Sequence, residues 1–195
     1  MEYLDALRSR RSQYSITNAI NLPEEKLIEV VKEAVKHTPS AYNTQSTRAL
    51  VLLGDSHKKL WNIVKEVLRA KIGEDRFVAT EAKIDKSFLA GYGTVLFFID
   101  EAEVKENAEK ISENFYGWAK ESAGMAQINT WIALSDLGLG ANLQHYNPII
   151  DEKTKAAFEI PENWTLISQM PFGEIVDRPK AKEFKNVDDI VKVKK

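Results

Sequence analysis

The stretch Asn114–Leu137 constrains the fold of this chain most. It reads as one long helix carrying Trp118, Ala126, Trp131, Ile132 and Ala133, with few charges after Glu121. A helix so apolar and small-residued over its second half is expected to be buried on most sides. Other elements must therefore surround it. Gly138 and Gly140 are expected to end it, because glycine tolerates the left-handed conformation common just past a helix terminus.

The surrounding elements can be read on both sides. Glu2–Arg10 predicts a helix with Leu4 and Leu7 on one face. Pro23-Glu24-Glu25 opens another, since proline suits a first turn and acids complement the helix dipole. Leu27, Val31, Ala34 and Val35 follow at helical spacing, and Pro39 ends the run. Arg48–Leu53 and Thr94–Ile99 are short apolar runs that predict buried strands, and Ala141–Tyr146 and Thr165–Gly173 predict two more. Gly54-Asp55-Ser56 reads as a turn with a capping residue, before a helix carrying Leu60, Ile63, Val64, Val67 and Leu68. Gly73–Ser87 is charged and weakly periodic, and reads as loop or irregular helix. Asp151–Phe158 reads as a short helix, and the lysine-rich tail from Lys180 has no core of its own. Strands and helices are interspersed without clean βαβ alternation. The expected class is α+β, with helices around a central mixed or antiparallel sheet. No repeat or linker divides the 195 residues, which suit one domain spanning 1–195.

Composition narrows the functions available. Lys plus Arg is 27 and Asp plus Glu is 29, a formal charge of −2, which argues against a nucleic-acid binder. There is no cysteine, which excludes disulfides, thiolate chemistry, iron–sulfur clusters and Cys-based zinc sites. His37, His57 and His145 are far apart and lack the spacing of a zinc-binding pair, so no metal is expected. No segment is long and apolar enough to cross a bilayer, and MEYLDALRSRRSQY lacks the apolar core of a signal peptide. A cytoplasmic location without a membrane partner is expected. No G-x-G-x-x-G follows a strand; Gly138-Leu139-Gly140 follows a helix instead, the wrong context for a Rossmann turn.

Three segments could meet around one ligand. Arg8-Ser9-Arg10-Arg11-Ser12 places three guanidinium groups and two hydroxyls at a predicted helix end. Arginine's planar donor fork suits phosphate oxygens, although cations also simply complement a helix C-terminus. Thr38-Pro39-Ser40-Ala41-Tyr42-Asn43-Thr44-Gln45-Ser46 is dense in small polar groups. Its amides could read the edge of a heterocycle bearing carbonyls and ring nitrogens, or could only satisfy the loop's own backbone. Leu139–Tyr146 carries Gln144 and His145 at a predicted strand end. It is followed by Pro171-Phe172-Gly173 and Pro179-Lys180-Ala181-Lys182, whose lysines could add positive charge or could be surface tail.

Taken in order, Arg10-Arg11-Ser12, Pro39–Gln45, Gly138–Asn142 and the late lysine motif resemble the nitroreductase family over nearly the whole chain. Asn142–Pro148 and the short length are similar to its compact, fatty-acid-repression-mutant-like branch. The resemblance implies a nitroreductase-like fold in an intertwined homodimer with two sites at the interface. It also implies bound FMN and NADH or NADPH as electron donor. Nitroaromatic or quinone-like small molecules would act as acceptors, reduced by ping-pong hydride transfer through flavin N5, in a setting of oxidative-stress defence. No protein catalyst is implied, because the flavin carries the chemistry. Carried over, Arg10, Arg11 and Ser12 would hold the FMN phosphate and ribityl chain, helped by Lys182 and Lys180. Pro39, Ser40, Ala41, Asn43 and Gln45 would line the ring from the second subunit. Leu143, Gln144 and His145 would approach N5, mainly through backbone. Two departures stand out. Tyr14 replaces the Lys or Arg that many relatives carry, and Ser46-Thr47 replaces their Pro-Trp. The missing cation at Tyr14 also suits an alternative, a non-enzymatic flavin-binding sensor.

Overall fold

The structure is a computed structural model describing residues 2–195; Met1, part of the expected domain and of the leader reading, lies outside the described residues. Its centre is strand β3 (Gly93–Asp100), every residue of which is buried. It pairs with β2 (Thr47–Leu53) on one side and β5 (Trp164–Ile175) on the other. Two short strands, β1 (Ile16–Thr17) and β4 (Gly140–Ala141), also pair with β5, and every pairing is antiparallel. The main path runs β1-β5-β3-β2, so the outer edge of β2 is open.

Alternation along β3 makes two cores, as a period of two requires. Leu96 and Phe98 face a layer built by α3 (Gly54–Ile72), α4 (Glu74–Ile84) and α7 (Asp151–Phe158), around Leu60, Trp61, Ile84 and Ile150. Val95 and Phe97 face α2 (Glu24–Lys36) and α6 (Phe115–Asp136), around Leu27, Val31 and Leu134. Each buried phenylalanine contributes about 1.5–3 kcal/mol of transfer free energy. The α+β expectation is met, and the sheet is antiparallel.

Several local expectations are corrected. Gly73–Ser87 is neither loop nor, for most of its length, irregular. It forms α4, held to α3 by buried Phe77 and Ile84 and by ion pairs of Lys65 and Arg69 with Asp85 and Glu81. Irregularity is confined to a π-helical turn at Asp85–Leu89. No turn or side-chain cap separates β2 from α3, which starts at Gly54 with φ +54. The strand expected over Ala141–Tyr146 shrinks to Gly140–Ala141 plus one bridge, Gln144 to Gln169. Helix α5 (Glu101–Lys110) went unread; Asp100 caps it by accepting from the Ala102 and Glu103 amides, a signal present in the sequence. Gly138, at φ +82, ends α6 as expected. The second half of α6 is covered up to Asp136, but Tyr116, Gly117, Glu121, Gly124 and Met125 leave its first half with an exposed face. The remaining helices are α1 (Tyr3–Ser9) and, in the exposed tail, α8 (Val187–Ile190).

Candidate flavin site

Helix α1 ends at Ser9 and the chain leaves it extended at Arg10. The next residues are knitted to the segment after α6. Ser12 bridges Ala141 in parallel, the Gln13 amide donates to the Ala141 carbonyl at 2.9 Å, and Asn142 Nδ2 donates to the Gln13 carbonyl at 2.7 Å. Gln144 Nε2 in turn donates to Asn142 Oδ1 at 2.8 Å. Two segments distant in sequence are thereby fixed side by side by buried, satisfied amides.

The backbone of the second segment is used on one side only. Amides of Asn142, Gln144 and Tyr146 donate to Pro171 O, Gln169 O and Gln169 Oε1 respectively. The intervening Leu143 and His145 amides make no hydrogen bond among the described residues. Alternation along an extended chain turns them away from β5, as a pair of outward donors.

Arg10 lies over the Trp131 ring, 4.6 Å from its centroid, and its Nε is buried without a partner. Burial, and then the charge of Arg11, lowers its pKa from the usual arginine value, though a guanidinium stays protonated. Among the described residues neither Arg10 nor Arg11 is ion-paired, unlike Arg48, which meets Asp100 at 2.8 Å. Arg11 Nη2 donates to the Lys180 carbonyl at 3.0 Å and so tethers the tail. A cavity of about 70 Å³ beside it is lined by Arg11, Gln13, Trp131, Ser135 and Arg178, with Gln13 Oε1 and Trp131 Nε1 unpartnered. Lys182 instead lies along the exposed tail, its Nζ 5.3 Å from the Phe184 ring.

The Pro39–Gln45 segment is elsewhere. Ser122 Oγ donates to the Pro39 carbonyl and Asn129 Nδ2 to Thr38 Oγ1, each at 2.9 Å. The arginine segment meets α6 further on, where Ser9 Oγ and Ser135 Oγ share a 3.1 Å hydrogen bond. Ser122 and Ser135 are separated by about 20 Å of helix at about 1.5 Å per residue. Within one chain, then, Arg10, Arg11, Ser12, Leu143, Gln144, His145 and the Lys180 backbone come together. Pro39, Ser40, Ala41, Asn43 and Gln45 do not join them. The loop is also strained: Tyr42, Asn43 and Gln45 have φ of 52°, 56° and 49°. Such residues cluster at ligand clamps, where about 1–3 kcal/mol each is stored.

Sequence reading missed Gln13, Asn142, Trp131, Arg178 and Gln169. Their roles depend on burial and long-range pairing, which no local pattern signals. Tyr14 faces Phe88, with centroids 6.4 Å apart, and Phe88 faces Tyr146 at 6.3 Å. Burial, and then the Tyr14 charge, raises the Tyr146 pKa. His57 is buried and structural. Its Nε2–H donates to Leu89 O, so Nδ1 accepts from the Thr94 hydroxyl, which itself accepts from Trp61 Nε1. Among the described residues no cluster of three or more His, Asp or Glu could hold a metal, and no helix is long and apolar enough to cross a membrane.

An antiparallel sheet between two helical layers, with arginines that lack an ion pair and an outward amide pair on one knitted surface, defines an α+β domain with a donor-rich site. Comparison with known proteins makes this specific. The model described as "Nitroreductase family" matches residues 7–174, and the chain belongs to that family. It is 35% identical to the nitroreductase FRM2 of Saccharomyces cerevisiae over 191 residues, covering 94% of this chain and 93% of FRM2. The structure of nitroreductase CinD from Lactococcus lactis in complex with nicotinic acid is 41% identical, with a TM-score of 0.93 and full coverage of both chains. A Desulfitobacterium hafniense nitroreductase with bound FMN shares the fold, with 17% identity and a TM-score of 0.75, covering 100% of this chain and 99% of that one.

Proposed function

We propose that this protein is an FMN-dependent NAD(P)H oxidoreductase that reduces nitroaromatic and quinone-like acceptors, working as a cytoplasmic homodimer. The observation that carries the reading is the outward amide pair of Leu143 and His145, held beside the unpaired guanidinium groups of Arg10 and Arg11. A flat heterocycle with acceptor atoms along one edge and a dianionic phosphate on a flexible arm fits that donor set. FMN, when bound, supplies hydride chemistry in ping-pong order between NADH or NADPH and the acceptor. Arg10, Arg11 and Ser12 hold its phosphate, with charge added by Lys180, whose backbone Arg11 tethers, while Lys182 would have to leave Phe184 to join them. The Leu143 and His145 amides orient the ring and favour negative charge that develops on it.

The homodimer reading is supported by what one chain lacks. Pro39 meets α6 at Ser122, about 14 Å along the helix from Trp131, on which Arg10 stacks, so the loop is assigned to the site of a second copy. There the partner's Pro39, Ser40, Ala41, Asn43 and Gln45 line the ring. Further support comes from the open edge of β2. It borders a groove of about 550 Å³ lined by Ile28, Val31, Val35, Leu50 and Leu53. The tail beyond residue 176 is exposed throughout yet carries Phe184, Val187, Ile190, Val191 and Val193. Such a tail matches a neighbour's open strand edge. Nitroarene acceptors are supported by CinD, whose structures include complexes with 4-nitrophenol and with chloramphenicol.

Purified protein should be yellow, lose its visible absorption with NADPH under nitrogen, and regain it on adding a nitroarene. Colourless protein that takes up no added FMN would overturn the reading. Tyr14, which brings no cation beside Ser12, favours a second reading as a flavin-binding sensor. That reading requires FMN binding with no steady turnover on any nitroarene or quinone.

A further inference from the structure

Gln169 is a buried polar residue inside β5, between Ser168 and Met170. A buried side-chain amide costs free energy unless its ends are hydrogen-bonded, and here both are. Its Oε1 accepts from the Tyr146 amide at 2.8 Å, and its Nε2 donates to Asn147 Oδ1 at 3.3 Å. The backbone of the same residue exchanges two further hydrogen bonds with Gln144. The Gln144 amide donates to Gln169 O at 2.8 Å, and the Gln169 amide donates to Gln144 O at 2.9 Å.

The sheet explains why a side chain is needed here. With Gln144 opposite Gln169 in an antiparallel bridge, Tyr146 would fall opposite Ile167. Ile167 is where β5 slips its register against β3. Phe97 pairs with Ser168 and Phe98 with Leu166, which leaves Ile167 as the extra residue of a bulge. The Tyr146 amide turns to the Gln169 side chain instead. His145 therefore lies between two peptide units held by one residue. The unit before it carries the Gln144 carbonyl, fixed by the Gln169 backbone. The unit after it carries the Tyr146 amide, fixed by the Gln169 side chain. We propose that Gln169 is a positioning residue of the flavin site: without touching the ligand, its side chain aims the His145 amide at the ring and so raises the reduction potential of the flavin. The inference deepens the proposed function and rests on it, because it concerns how that site's donors are held against the charge that reduction puts on the ring.

Gln169→Leu removes both side-chain hydrogen bonds. The Tyr146 ring stays anchored against Trp61 and Phe88, at 5.9 and 6.3 Å, so the variant should fold. Gln169→Glu, kept protonated by burial, retains an acceptor for Tyr146 and a donor for Asn147. In apoprotein, hydrogen exchange at the Tyr146 amide should quicken about tenfold in Gln169→Leu and little in Gln169→Glu. Riboflavin and FMN should both bind Gln169→Leu about tenfold more weakly, because the loss is at the ring and not at the phosphate. The midpoint potential of bound FMN should fall by about 30 mV. That is a further tenfold loss for the reduced ring over the oxidised one, at about 30 mV per decade for two electrons. Gln169→Glu should restore the affinities and the potential. A folded Gln169→Leu protein with wild-type flavin affinities and potential would overturn the assignment, as would a Gln169→Glu protein no better than Gln169→Leu. If Gln169→Leu does not fold, Asn147→Ala decides, since it frees the far end of the same amide at a half-buried position. It should lower the potential by about 15 mV, roughly a threefold change, and an unmoved potential would refute the role. Wild-type protein that takes up neither flavin would instead sink the proposed function, and this assignment with it.

Discussion

Arg10→Ala separates cofactor recognition from folding. Arg10 has two structural roles: it stacks on Trp131 at 4.6 Å, and it offers a guanidinium without an ion pair beside Arg11 and Ser12. Losing a cation–π contact at a partly exposed site costs about 0.5–1 kcal/mol of stability. Losing a charge-assisted hydrogen bond to phosphate costs about 1.5–3 kcal/mol of binding. At about 1.4 kcal/mol per decade, FMN affinity should fall roughly 10- to 150-fold, while the urea midpoint moves slightly. Riboflavin supplies the internal control, because it has the same ring and ribityl chain without the phosphate. Titrating apoprotein with each flavin by fluorescence quenching should show a large loss for FMN and almost none for riboflavin. Equal losses for the two flavins, or unchanged FMN affinity, would refute the phosphate role.

Other perturbations test separate parts of the account. His57 is held neutral by burial, with its pKa lowered from the ordinary histidine value. Its contribution to stability is therefore full above the unfolded pKa of about 6.5 and is lost as pH falls toward the folded pKa. Urea midpoints at pH 7.5 and 5.5 should differ more in wild type than in His57→Gln. Asp100→Ala removes the cap of α5, the Arg48 ion pair and an acceptor for Asn163 Nδ2. It should cost about 3 kcal/mol, because the cap, the 2.8 Å ion pair and the Asn163 acceptor go together and leave Arg48 only the more distant Glu103 at 3.8 Å, and calorimetry would measure it. Tyr42→Gly relieves positive φ but deletes the Tyr42–Phe115 ring contact and loosens the unfolded chain, so Tm should change little; a drop as large as that of a buried aromatic would argue against stored strain.

Much of this molecule was legible in its sequence for a physical reason. Val95, Leu96, Phe97 and Phe98 form an unbroken apolar run because both faces of β3 are covered, and the periodicity of α2 announces its single buried face. The second half of α6 also behaves as its composition demands. Its first half does not, since Tyr116, Gly124 and Met125 stay exposed in one chain; composition reports that a face needs cover, not what covers it. α4 reads only as loop or irregular helix because its stability lies in Phe77, Ile84 and cross-helix ion pairs rather than in its own periodicity. The Ala141–Tyr146 strand was overread because Gln169 takes alternate donors through its backbone and its side chain, and that depends on a residue far away. For the candidate site, the Arg10–Ser12 and Leu143–His145 motifs could be read as polar clusters, and their adjacency could not. The role of Arg178 and the distance of the Pro39–Gln45 loop emerge only from the fold.

The central claim is a flavin site shared between two copies of this chain. Co-expression of Arg10→Ala with a Ser40→Ala/Asn43→Ala chain, each bearing a different tag, tests it directly. Each variant alone should retain little FMN. In mixed dimers one site collects every substitution and the other is intact, so random pairing should restore about a quarter of the sites. FMN content of doubly tagged dimers near one per two chains is the predicted result. Mixed dimers as poor in FMN as their parents would mean that each chain builds its own site, and the shared-site account would be wrong.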